Sequence, residues 1–132
     1  AVVGTPSRAA LALLARAQGE ALNAKDFSGW TALHWSAFHG HAELCETLLA
    51  HPEFASANAL CRWFWGDGFT ALHLAAAKGH AAACRVILAS KAFTKVQHAR
   101  RGGKTALEMA REKGHKAAAA AIAGAPAQRG AG

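Results

Sequence analysis

The chain has 132 residues, 52% of them hydrophobic, and a formal net charge of +7 with its eight histidines neutral, which bounds it to one basic globular domain. Three cysteines are too few for a disulfide framework and point to a reducing interior compartment. No apolar run approaches the roughly 18 residues that a membrane span needs.

In chain order, residues 7–18 read as a helix. Leu13-Leu14 match Leu48-Leu49 and Ile87-Leu88 in phase, and Asn23, Asn58 and Gln97 share a second phase. Thr31 precedes an apolar run and reads as a helix N-cap, its hydroxyl accepting an otherwise orphan backbone N–H. Leu33 and Ala37 then fall on one face, and Gly40 sits where a left-handed cap ends the helix. A second helix is expected over Ala42 to Ala50, with Leu44, Leu48 and Leu49 at helical spacing. His51-Pro52 stops it, because proline does not continue a helix.

The same pattern returns twice. Thr31, Thr70 and Thr105 each precede a Gly-His pair by nine positions, and the threonines step by 39 and then 35 residues. Such a period is the mark of stacked repeats, so the fold class is an all-α repeat solenoid. The joints differ in length. Asn23 to Thr31 and Gln97 to Thr105 are eight residues each, whereas Asn58 to Thr70 is twelve. Four extra residues therefore lie in the stretch Cys61-Arg62-Trp63-Phe64-Trp65-Gly66-Asp67-Gly68. The last unit is polar through Arg111, Glu112, Lys113 and Lys116, as a closing unit must be. Residues 125–132 have linker composition and are expected to form a flexible tail.

The segments Thr31-Ala-Leu-His34, Thr70-Ala-Leu-His73 and Thr105-Ala-Leu-Glu108, each followed by Gly-His, resemble the ankyrin repeat, with Ala at the usual proline position. The resemblance covers residues 7 to 124. It implies a domain over 1–124 with a half repeat at 7–26 and repeats at about 27–61, 62–100 and 101–124. The half repeat lacks its first helix and leaves an apolar edge for a partner, or further sequence, to cover. Connectors in this family are protruding hairpin fingers, so the longer one becomes an enlarged finger carrying Arg62, Trp63, Phe64 and Trp65. Trp and Arg are favoured binding hot spots, which makes this finger the first choice of contact site; the alternative is that Trp63 or Trp65 folds back over the neighbouring finger to cover the stack. The family binds through finger tips and the outward face of each first helix. That places Trp30, Phe69 and Lys104 at finger bases, and Phe38-His39, Ala77-Lys78 and Glu112-Lys113 along a groove running from aromatic to basic. At the phase of Trp35 and Leu74, packing between units is the favoured role.

Charge follows the same polarity. Residues 1–77 hold four Lys/Arg against six Asp/Glu, and residues 78–132 hold eleven against two. Lys91, Lys95, Arg100, Arg101 and Lys104 concentrate on the last connector, a field that favours an acidic partner. The expected role is a non-catalytic protein-binding module or scaffold. The alternatives are an accessory subunit fixed in a large multisubunit complex, and nucleic-acid binding through the basic half, for which no nucleic-acid motif is present. The Ala- and Gly-rich filling resembles ankyrin arrays of GC-rich genomes, green algae among them, which keeps an organelle or photosynthetic assembly open.

No catalytic residue, cofactor or metal site is expected. His34, His39, His41 and Cys45 lie close in sequence, but His34, His41 and Cys45 recur at repeat positions and need no zinc. Arg101-Gly102-Gly103-Lys104-Thr105 imitates the end of a phosphate-binding loop, yet His98 stands where that loop needs glycine. Ser28 and Ser36 have no His–carboxylate pair beside them. Cys61 falls on the finger, where a thiol can be exposed. Ala1 in first position fits a processed N-terminus, which would allow an organelle interior besides the cytoplasm.

Overall fold

The computed structural model describes residues 23–63, 66–94 and 104–124. The half repeat at 7–18, Gln97 and the tail at 125–132 lie outside these residues. The described part holds three helix pairs and one hairpin. The elements are α1 (Ala32–Phe38), α2 (Ala42–Ala50), β1 (Cys61–Trp63), β2 (Gly66–Phe69), α3 (Ala71–Lys78), α4 (Ala81–Ala89), α5 (Ala106–Glu112) and α6 (Lys116–Ala123). Helices α1, α3 and α5 pack side by side as one layer, and α2, α4 and α6 as a second.

Each first helix starts in the same way. The hydroxyls of Thr31, Thr70 and Thr105 accept from the backbone N–H of His34, His73 and Glu108, and each of those side chains accepts in return from the threonine's own N–H. These reciprocal capping boxes satisfy donors that a helix start leaves without partners. The helices end at glycines with φ near +76°: Gly40, Gly79 and Gly114. Helix α2 stops at Ala50, with His51 extended as its cap.

The space between layers is filled by Leu33, Ala37, Cys45, Leu48, Leu72, Ala75, Ala76, Cys84, Ile87 and Phe93. Alanine on the facing sides of α1 and α3 lets the helix backbones approach closely. Each buried leucine side chain is worth about 1.5–3 kcal/mol.

Side chains clip the units together. Asn23 donates to the Glu53 carbonyl at 2.9 Å and accepts from Ala55 N–H at 2.8 Å. One unit on, Asn58 donates to the Ala92 carbonyl and accepts from Thr94 N–H. The motif histidines reach forward. With Thr31 N–H donating to Nδ1, the His34 proton sits on Nε2 and is donated to the Ala59 carbonyl at 3.0 Å. His73 does the same to the Lys104 carbonyl. Histidines of the second phase reach backward, His80 Nε2 to the Phe38 carbonyl and His115 Nε2 to the Ala77 carbonyl, both at 3.0 Å.

Candidate functional site

The finger between the first two full units is an antiparallel hairpin, with Cys61 opposite Phe69 and Trp63 opposite Gly66. Arg62 ties it to the connector before it: Arg62 N–H donates to the Ser28 carbonyl at 2.8 Å, and its guanidinium donates to the Phe27 carbonyl at 2.9 Å. Asp26 organises that preceding connector, its carboxylate accepting from Ser28 and Trp30 N–H. The repeat pattern gave Asp26 no role; only the turn chemistry of a carboxylate two residues before a backbone donor could have marked it.

Two expected contact residues belong to the core instead. Trp30 is 7% and Phe69 5% exposed, packed with Cys61, Leu74, Ala77 and Met109. The reason is pairing across units. The Trp30 indole N–H donates to the Arg62 carbonyl at 2.6 Å, so the ring lies under the next finger and not at its base in solvent. Cys61, a candidate for exposure, is buried in the same cluster, and burial pushes its thiol up to about 12. Leu74 packs between units as expected, at 0% exposure. Trp35, expected to do likewise, is 47% exposed. Its partner surface would come from a preceding first helix, and none stands there among the described residues.

The first-helix face carries the remaining candidates. Trp35 stacks on His39, their centroids 6.0 Å apart and their planes 9° apart, and His39 meets Phe38 edge-on at 5.2 Å. Lys78, one unit on, places its ammonium 5.1 Å from the centre of the Phe38 ring. Trp30 supports this patch from beneath, 4.6 Å from Trp35 and 5.3 Å from Phe38. Phe38, His39 and Lys78 thus form one continuous aromatic-to-cationic strip. Lys104 does not extend it freely, because its ammonium pairs with the Glu112 carboxylate and holds that carboxyl below its usual range. Trp63 lies on β1 without a described side chain, and Phe64, Trp65, Arg100 and Arg101 lie outside the described residues.

Chemistry beyond contact finds little support here. Among the described residues no three His, Cys, Asp or Glu side chains are grouped to hold a metal ion. Cys45 and Cys84 are buried, their thiols raised to about 12 by loss of solvent. Between the outer helices lies an open cleft of about 360 Å³, lined by Glu46, Leu49, Ala50, Arg85, Val86, Ala89 and Ser90. No described helix is long and apolar enough to cross a membrane.

The repeated caps, positive-φ glycines and inter-unit histidine bonds are matched by family comparison. Residues 28–62 match the family described as Ankyrin repeat, and residues 53–128 match Ankyrin repeats (3 copies). The chain belongs to the ankyrin-repeat family. Ankyrin repeats are protein–protein interaction modules and are generally non-catalytic, so protein partners are the expected ligands of this stack. Over 32 residues the chain is 53% identical to the calmodulin-binding transcription activator CBT of Oryza sativa subsp. japonica. That stretch is 24% of this chain and 4% of the relative's length, so the chain spans only a small part of that protein.

Proposed function

We propose that this ankyrin stack is a non-catalytic binding module that takes a protein segment along its first-helix face, beside the aromatic finger. The observation that carries this reading is the strip Phe38–His39–Lys78. His39 and Lys78 are exposed, and Phe38 is partly buried, one side of it packed on the Trp30, Leu74 and Ala77 cluster. A complementary segment would lay an apolar or aromatic side chain on Phe38 and a carboxylate on Lys78, with Arg62, Trp63, Phe64 and Trp65 as further contact residues. The basic charge of the later units would speed the encounter with such an acidic segment. Calmodulin binding and transcription activation, named for the rice relative, do not follow from a shared stretch of 32 residues, since repeats of this kind serve unrelated targets.

The test is retention of partners from the native source by the full chain and by the double variant Phe38→Ala/Lys78→Ala. Loss of the same stoichiometric proteins with the variant, at unchanged thermal stability, supports the groove reading. Equal retention would refute it. Recovery of nucleic acid in a steeply salt-dependent manner would replace protein binding by phosphate-backbone binding.

A further inference from the structure

Along the first helices, equivalent positions of the three units carry different chemistry. Trp30, Phe69 and Lys104 stand just before the capping threonines, and Phe38, Ala77 and Glu112 seven residues after them. These two positions meet within each unit. Trp30 lies 5.3 Å from Phe38, Phe69 and Ala77 share one buried cluster, and the Lys104 ammonium bonds to the Glu112 carboxylate. Finger base and helix are thus tied together in every unit, which favours a thin extended occupant over a helix about 10–12 Å across.

The next position faces outward. His39, Lys78 and Lys113 stand eight residues after the threonines, and all three are exposed. Neither lysine forms an ion pair among the described residues. Lys78 leans over the Phe38 ring, and Lys113 exerts only a smaller pull on Glu112, whose charge Lys104 already takes. Because α1, α3 and α5 pack side by side, this row steps from unit to unit by the spacing of packed helices, about 8–10 Å. A polyproline-II chain advances about 9 Å per turn of three residues and returns the same face each time. A β-strand would turn every third residue to the opposite face.

We propose, as a refinement that rests on the groove reading above, that the bound segment is a polyproline-II stretch read at every third residue. It lays an aromatic or large apolar side chain on Phe38, a carboxylate three residues on beside Lys78, and a second carboxylate three further on beside Lys113. The register is fixed by the ends. Phe38 offers a ring at the first unit, whereas at the third unit Glu112 stands in its place, neutralised by Lys104. The aromatic end therefore belongs to the first unit and the acidic end to the third.

The probe is the labelled peptide Trp-Pro-Pro-Glu-Pro-Pro-Glu, made in both chain directions and titrated into the full chain by fluorescence anisotropy at low ionic strength. One direction is expected to bind saturably. It should bind more tightly than peptides with one or three prolines per step, by about two- to fivefold for each displaced glutamate, the range of an exposed ion pair. Lys113→Glu should remove the advantage of the last glutamate, and lysine in place of that glutamate in the peptide should restore it. Equal binding at all spacings would overturn the proposal. So would tighter binding by an alanine-rich helical peptide with the same three side chains at seven-residue steps, or no saturable binding by any peptide. The groove itself is judged separately. If Phe38→Ala/Lys78→Ala still loses the native partners, the groove stands and only the period of three falls.

Discussion

At the scale of single residues, His34 links stability to pH. Burial holds its pKa at about 4, far below the usual 6.5, because the ring is enclosed and its Nδ1 must stay unprotonated to accept from Thr31 N–H. The unfolded chain therefore binds this proton first as pH falls. The contribution of neutral His34 is complete above pH 6.5 and is lost progressively between 6.5 and 4, by about 3 kcal/mol in all. Urea unfolding of native protein and His34→Gln across that range checks this: the acid slope should be shallower in the variant. The cysteines give a second prediction. With thiols raised to about 12 by burial, Cys45, Cys61 and Cys84 should react with a thiol reagent only at the rate of unfolding. Rapid labelling of one thiol in native buffer would contradict the packed finger base. The motif histidines were legible in the sequence because they recur. Cys61 was not, since nothing in one strand of a hairpin tells which way its side chain turns.

At the scale of elements, the helix-ending glycines do two jobs that substitution can separate. Gly79 and Gly114 have nearly the same φ, +77° and +76°, but only Gly79 lies against a histidine ring. Alanine at Gly114 should cost only the left-handed strain, about 1–2 kcal/mol. Alanine at Gly79 should cost clearly more, because the His115 ring must also move. Equal thermal shifts for the two variants would deny the glycine any role between units. The caps, the glycines and the bounds of α2 were readable from spacing, for they depend on residues within one turn of each other. The inward turn of Trp30 was not, because its indole partner, the Arg62 carbonyl, lies 32 residues away on the next finger.

At the scale of the whole molecule, stability and recognition should divide between layers and fingers. Leu72→Ala, in the centre of the stack, should destabilise by about 2–5 kcal/mol. Trp63→Ala/Trp65→Ala should leave thermal unfolding nearly unchanged and weaken partner binding by about 2 kcal/mol or more, if the finger makes the contact proposed for it. A collapse of stability in the Trp double variant would reassign those rings to packing. The stacking was legible because a repeat shows itself several times over. The exposed Trp35 was not, because a periodic pattern says what a position does between units and not how exposed it is in a particular one.

The stitches between units also set how the molecule bears load. The last described helix, α6, is mostly alanine and buries only Ala118 and Ile122, and the bond from its His115 cap joins it to the preceding unit. Tension applied across residues 23 and 124 should therefore peel the described stack from the α5–α6 pair inward, one pair at a time. Each pair of roughly 35 residues would release about 120 Å of extended chain. A partner anchored to the first units would stay bound while the far end yields, so the array would act as a one-ended spring.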